Sequence, residues 1–154
     1  MKAFAYDKEN IINASVEFEA FITNLQENDM IRYEIKDHNQ NVIHFKESNQ
    51  NKESLMIPNV HLWDGINDPY LYNFTVSILR NKEVIDSLDG HFGCRTFVVD
   101  SERGFILNGK EYPLRGVSRH QDRNEIGNAL LHEHHDEDME LIKEVGANTI
   151  RLAH

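Results

Sequence analysis

The sequence predicts a mainly β chain: an antiparallel β-sandwich over residues 1–100, followed over residues 101–154 by the beginning of a parallel α/β barrel. Three observations predict it. Apolar residues alternate with polar ones in short runs through the first two thirds of the chain, the period of half-buried strands. Turn-forming residues interrupt those runs at regular intervals, and no helical period appears before residue 130. The pattern then changes to strand, helix, strand, the unit that α/β barrels repeat.

The elements can be justified in order. SVEFEAFIT sets Val16, Phe18, Ala20 and Ile22 on one face and Glu17 and Glu19 on the other. MIRYEIKD does the same with Ile31, Tyr33 and Ile35 against Arg32, Glu34 and Lys36. The polar loop His38–Asn41 leads into VIHFKES, which completes a hairpin, and SLMIP is a short strand stopped by Pro58. YLYNFTVSILR places Tyr72, Phe74, Val76 and Ile78 inward and Asn73, Thr75 and Ser77 outward. RNKE turns the chain into VIDSLDGHFG, and CRTFVVD follows. FILNGKEYPL holds Asn108-Gly109 between apolar runs, the signature of a type I′ hairpin, whose two central residues both need positive φ. LRGVSRH is the first barrel-like strand. In EHHDEDMELIKEVG, Met139, Ile142 and Val145 recur at helical steps, acids crowd the early turns, Lys143 comes late and Gly146 is placed to end the helix. NTIRLAH is a second short strand, and one βα unit cannot close a barrel, so residues 101–154 begin a second domain without completing it.

Composition narrows the function classes. The net charge is −10, with 16 acids against 9 bases in residues 1–100 and 10 against 7 thereafter, and no Lys/Arg cluster stands out. That argues against nucleic acid and anionic membranes as partners. No apolar run approaches the roughly 20 residues of a membrane span. The opening residues lack the apolar run of a secretory signal; the compartment stays open, with the cytoplasm favoured. Cys94 is the single cysteine, which excludes an internal disulfide and a multi-cysteine zinc site, and it reads as a small buried apolar residue.

Chemistry-bearing residues gather late in the chain. LRGVSRHQD, Leu114–Asp122, packs Arg115, Arg119 and His120 into nine residues. His120 ends the first barrel-like strand and His154 the second. In a parallel barrel the C-terminal ends of the strands carry the active site. LHEHHDED raises a metal reading through His132, His134 and His135, but the zincin pattern H-E-x-x-H closes on Asp136 instead of histidine. These histidines are expected to lie exposed at the helix start. Glu133, Asp136, Glu137, Asp138 and Glu140 are expected to form its solvated N-terminal part. Trp63, Tyr70 and Tyr72 around Pro69 could stack on a sugar, but read better as an aromatic seal at one end of the sandwich.

NVHLWDGINDPYLYNFTVSIL, HFGCRTF, GFILNGKEYPLRGVSRHQD and IKEVGANTIRLAH resemble, in this order, successive motifs of glycoside hydrolase family 2. The resemblance implies an immunoglobulin-like sandwich running into a catalytic (β/α)8 barrel, closely over residues 59–154. It implies a retaining mechanism with two carboxylates roughly 5 Å apart, supplied by later strands that lie outside this chain. It further implies that His120 and His154 contact the non-reducing sugar and that Arg151 supports the nucleophilic carboxylate, while Arg115 and Arg119 brace barrel layers and loops. Imidazole suits sugar hydroxyls because one nitrogen can donate while a neighbour fixes the other. Within the family the chain is most similar to β-galactosidases: the β-glucuronidase branch usually carries His and Lys where Arg115 and Arg119 stand. Ser118 and Gln121 depart from the common Asn and acidic residue.

The implied protein is therefore an internal piece of a β-galactosidase, inactive alone, with the parent's remaining domains as partners, a β-galactoside as the parent's substrate, and a homo-oligomeric parent. No cofactor is expected in this chain; the resemblance implies magnesium and a monovalent cation for the parent. The competing reading is a non-catalytic sandwich module binding carbohydrate or protein. The βα unit discriminates, since a free module has no need of it.

Overall fold

The computed structural model describes residues 13–152, together with the backbone of residues 2–6. Seven strands build the first region. β1 (Lys2–Tyr6), β2 (Asn13–Glu19) and β5 (Lys52–Pro58) form one antiparallel sheet in the order β1-β2-β5. β3 (Met30–Lys36), β4 (Val42–Ser48), β6 (Tyr72–Arg80) and β7 (Glu83–Phe92) form the second, in the order β4-β3-β6-β7. The alternation in the sequence sets which side chains meet. Ala14, Val16 and Phe18 of β2 and Leu55 and Ile57 of β5 face Ile31, Tyr33 and Ile35 of β3, all buried in one cluster that Val60, Tyr72, Phe92 and Cys94 complete. Each large member contributes about 1.5–3 kcal/mol by leaving water. Tyr33 is buried with its hydroxyl donating to the Gln50 carbonyl at 2.8 Å, and burial pushes its pKa up to about 12. Burial likewise pushes the Cys94 thiol up to about 11, in keeping with a packing role.

Two details differ from the expected pattern. β2 ends at Glu19, and Ala20 and Ile22 pack against the core from the loop beyond it. On β6 the supposed outer residues Thr75 and Ser77 are buried, whereas Phe74, Val76 and Ile78 are only half-buried. Long neighbours fold over the outer face: Lys36 Nζ donates to the Thr75 hydroxyl at 2.9 Å, and that hydroxyl donates to Asp89 Oδ1 at 2.6 Å. The inner face instead borders an open hollow of about 600 Å³, lined by Phe18, Phe21, Ile22, Phe74, Val76 and Leu88 among others.

The RNKE turn is a tight one, with Asn81 at φ 52° and Lys82 at φ 70°. An ion pair closes the same end of the sandwich, where Arg80 holds buried Asp29 through two bonds of 2.8 Å. Those bonds, with the Gln26 N–H, lower the Asp29 pKa to about 2. Of the aromatic cluster, Tyr70 and Tyr72 meet edge to face at 5.0 Å, Arg95 lies 4.9 Å over the Trp63 ring, and both tyrosine hydroxyls are hydrogen-bonded. Tyr72 OH accepts from His61 N–H at 2.7 Å, Tyr70 OH from His38 N–H at 3.2 Å, and the His61 and Tyr70 rings stack at 3.9 Å.

β8 (Phe97–Asp100), β9 (Gly104–Leu107) and β10 (Lys110–Glu111) form a small three-stranded sheet. Asn108 and Gly109 take φ 51° and 79°, as the type I′ hairpin requires. The Asn108 side chain donates to the Trp63 carbonyl at 3.0 Å and accepts from the Thr96 N–H at 3.0 Å, tying the turn to the loops around it. The chain divides into two compact units, residues 1–98 with 106–110, and residues 99–105 with 111–154.

Candidate functional site

The second unit carries β11 (Gly116–Arg119), the helix α1 (His132–Glu144) and β12 (Thr149–Leu152). β11 and β12 pair in parallel, with Gly116 opposite Thr149, Val117 opposite Ile150, Ser118 opposite Arg151 and Arg119 opposite Leu152. Asn148 sets this register. Its backbone N–H donates to the Arg115 carbonyl at 2.9 Å, its Oδ1 accepts the Arg115 N–H at 2.7 Å, and its Nδ2 donates to the Pro113 carbonyl at 2.9 Å. The helix stops as the sequence predicts. Gly146 sits at φ 77°, its N–H reaches the Lys143 carbonyl and the Ala147 N–H the Ile142 carbonyl, the paired bonds of a Schellman cap.

Parallel pairing puts residues 116, 118, 149 and 151 on one face and 117, 119, 150 and 152 on the other. Arg119 identifies the second face as the one toward α1. Its guanidinium is buried, 7% exposed as a residue, and donates to Asp138 Oδ2 from Nε at 2.8 Å and from Nη2 at 2.6 Å. Its Nη2 also lies 2.9 Å from His135 Nδ1; an arginine offers only donors, so the ring nitrogen accepts in this contact. Arg123 comes back to the same place, donating to Asp138 Oδ1 at 2.8 Å, Glu137 Oε2 at 2.6 Å and the His134 carbonyl at 3.3 Å. The bonds from Arg123 and then Arg119 hold the Asp138 carboxyl below the ordinary range.

This cluster corrects two expectations. Asp138 is not solvated but half-buried and ion-paired to Arg119 and Arg123, because the helix face bearing residues 135, 138 and 142 turns toward β11, while Glu137 stays exposed as expected. His134 and His135 are half-buried and engaged, His134 accepting the Leu131 N–H on its Nδ1 at 3.0 Å and so capping the helix start. The signal was present in outline: Asp138 shares a helical face with Met139 and Ile142, where a charge needs a partner. Asn148 carried no comparable signal.

His120 is exposed and follows directly on Arg119, the last residue of β11. Arg151 and Arg115 are exposed. His154 lies outside the described residues. The loop after His120 is closed on itself, the N–H of Arg123 bonding the Gly127 carbonyl at 3.0 Å and the reverse at 2.9 Å. Among the described residues no three His, Cys, Asp or Glu side chains converge as a metal ligand set.

Comparison with known proteins places this geometry. Residues 4–95 match the model of glycosyl hydrolases family 2, and residues 98–154 that family's TIM barrel domain. A β-glucuronidase of Bacteroides fragilis is 48% identical over 100 residues, 65% of this chain and 14% of the relative. A β-galactosidase of Thermoanaerobacterium thermosulfurigenes is 30% identical over 97% of this chain and 22% of its own length. Among solved structures, an FMN-binding β-glucuronidase from Facaelibacterium prausnitzii L2-6 superposes with a TM-score of 0.87 at 39% identity, over 92% of this chain and 22% of that one. The chain thus spans between about a seventh and a fifth of these relatives' length, and it belongs to glycosyl hydrolases family 2.

Proposed function

We propose that this chain is the sandwich domain and first barrel strands of a retaining exo-acting β-galactosidase. His120 and His154 contact the non-reducing galactose, Arg151 supports the nucleophilic carboxylate, and Arg115 and Arg119 brace the strand ends. In the parent one later-strand carboxylate attacks the anomeric carbon and forms a glycosyl ester, while a second protonates the departing oxygen. Water activated by the second carboxylate then releases the sugar. The remaining domains of the parent supply both carboxylates.

The observation that supports this reading is the parallel β11–β12 pair of a barrel beginning, with His120 following directly on β11 and Arg151 lying within β12. Arg119 is buried against Asp138, and Arg123 is held by Asp138 and Glu137, so these two arginines are engaged within the chain. A β-glucuronoside is the second reading, favoured by the relatives at 48% and 39% identity.

The test is the full-length protein assayed against nitrophenyl β-galactoside and β-glucuronide. Preferential galactoside cleavage, with kcat/KM lowered about 100-fold by His120→Ala in a folded variant, is expected. Preferential glucuronide cleavage would hand the site to the second reading.

A further inference from the structure

Among the described residues, Asp138 is the carboxylate on which Arg119 and Arg123, on either side of His120, converge. Its Oδ2 takes Arg119, the last residue of β11, and its Oδ1 takes Arg123, four residues on. His120, Gln121 and Asp122 are the whole of the chain between those anchors. The first anchor is buried and takes three bonds, two to Asp138 and one to His135. The second belongs to a loop already closed by the reciprocal Arg123–Gly127 bonds. A short segment held at both ends has few conformations left, and the exit angle of the chain after Arg119 decides where the imidazole of His120 goes.

We propose that Asp138 is a positioning residue for the sugar site, acting through the Arg119–Arg123 clamp to hold His120 at the end of β11. It touches no substrate; it acts from the helix, where its two oxygens hold Arg119 and Arg123. The inference rests on the reading of His120 as a sugar contact. It adds that the helix acids are part of the binding apparatus, through the loop they anchor.

A double-mutant cycle in the full-length enzyme tests it, using the nitrophenyl glycoside that the wild type cleaves best. Asp138→Asn keeps the shape of the side chain and removes the charge that two arginines share. We expect KM to rise about tenfold or more with a smaller change in kcat, and Asp138→Glu to restore part of the loss. In a His120→Ala background the same substitution should cost little more, because the contact it positions is already gone. Should Asp138→Asn fail to fold, Arg123→Gln releases one end of the clamp only and should raise KM in the same direction. Costs of Asp138→Asn and His120→Ala that add in full, or either clamp variant losing thermal stability at unchanged KM, would overturn the inference. An active wild type with such variants defeats the inference alone; a folded wild type that cleaves no glycoside defeats the sugar-site reading beneath it.

Discussion

The sandwich and the barrel beginning obey the same patterning rules and arrive at different ends. In the sandwich, Ile31, Tyr33, Ile35 and Leu55 are fully buried by a second sheet that the same chain provides. In the barrel beginning, helix α1 has a regular apolar stripe and a well-formed cap, yet none of its residues is fully buried: Met139 and Ile142 are half-buried and Leu141 is 54% exposed. Periodicity therefore announces which face a segment will bury, but not whether the covering partner lies in the same stretch of chain. Beside the half-buried Val117, Met139, Ile142 and Ile150, the second region carries polar ties: the Asn148 staple between the strands and the Arg119–Asp138–Arg123 cluster between strand end and helix. Charged clusters specify geometry well and contribute modestly to stability, because desolvation offsets much of their attraction.

The widest gap between the regions should appear in unfolding itself. Trp63, the single tryptophan, reports on the sandwich, and the 222 nm ellipticity reports mainly on α1. Thermal unfolding followed by the two probes should give separate transitions, the helix melting first. Coincident curves would show one cooperative unit and break the comparison.

Core truncation sharpens the same contrast. Leu55→Ala removes a fully buried side chain that faces the opposite sheet, at a cost of about 2–5 kcal/mol, enough to lower the tryptophan-detected midpoint by roughly 10 °C or more. The ellipticity of α1 should be unaffected at temperatures where both regions are folded.

Most of the fold was legible because its signals are local. Strand alternation, the Asn108-Gly109 turn and the Gly146 cap need only neighbouring residues, and each formed as expected. The outer face of β6 was misjudged because burial of Thr75 depends on Lys36 and Asp89 from two other strands. The site was legible in position and not in wiring: Arg119 and His120 mark a strand end by sequence, but the pairing of Arg119 with Asp138 joins residues 19 apart across a loop. Opposite charges at such separations are common in a chain with 26 acids and 16 bases, so pattern alone could not single this pair out.

Acid should act on the sandwich through Asp29. Its carboxyl titrates near pH 2 when folded and near 4 when unfolded, so its ionised, Arg80-bonded form favours the fold above pH 4. That contribution is lost as the pH falls from 4 to 2. Urea midpoints read by Trp63 fluorescence should drop across this window, and in Asp29→Asn the drop should be shallower from a lower starting value. Equal slopes in the two proteins would remove Asp29 from the account.

The smallest effect is expected at Leu141, and it bears most directly on why the two regions differ. Leu141→Gln replaces an exposed apolar side chain by another good helix former, so in this chain stability should move by no more than about 0.5 kcal/mol. If α1 bares its stripe only because the rest of the barrel is elsewhere in the parent, the same substitution in the full-length protein creates a buried polar group and should cost about 2 kcal/mol or more. Equal, small effects in both contexts would mean that Leu141 faces water in the parent too. The bare stripe would then be a property of the helix itself, and the polar cluster around Asp138 would be its main attachment.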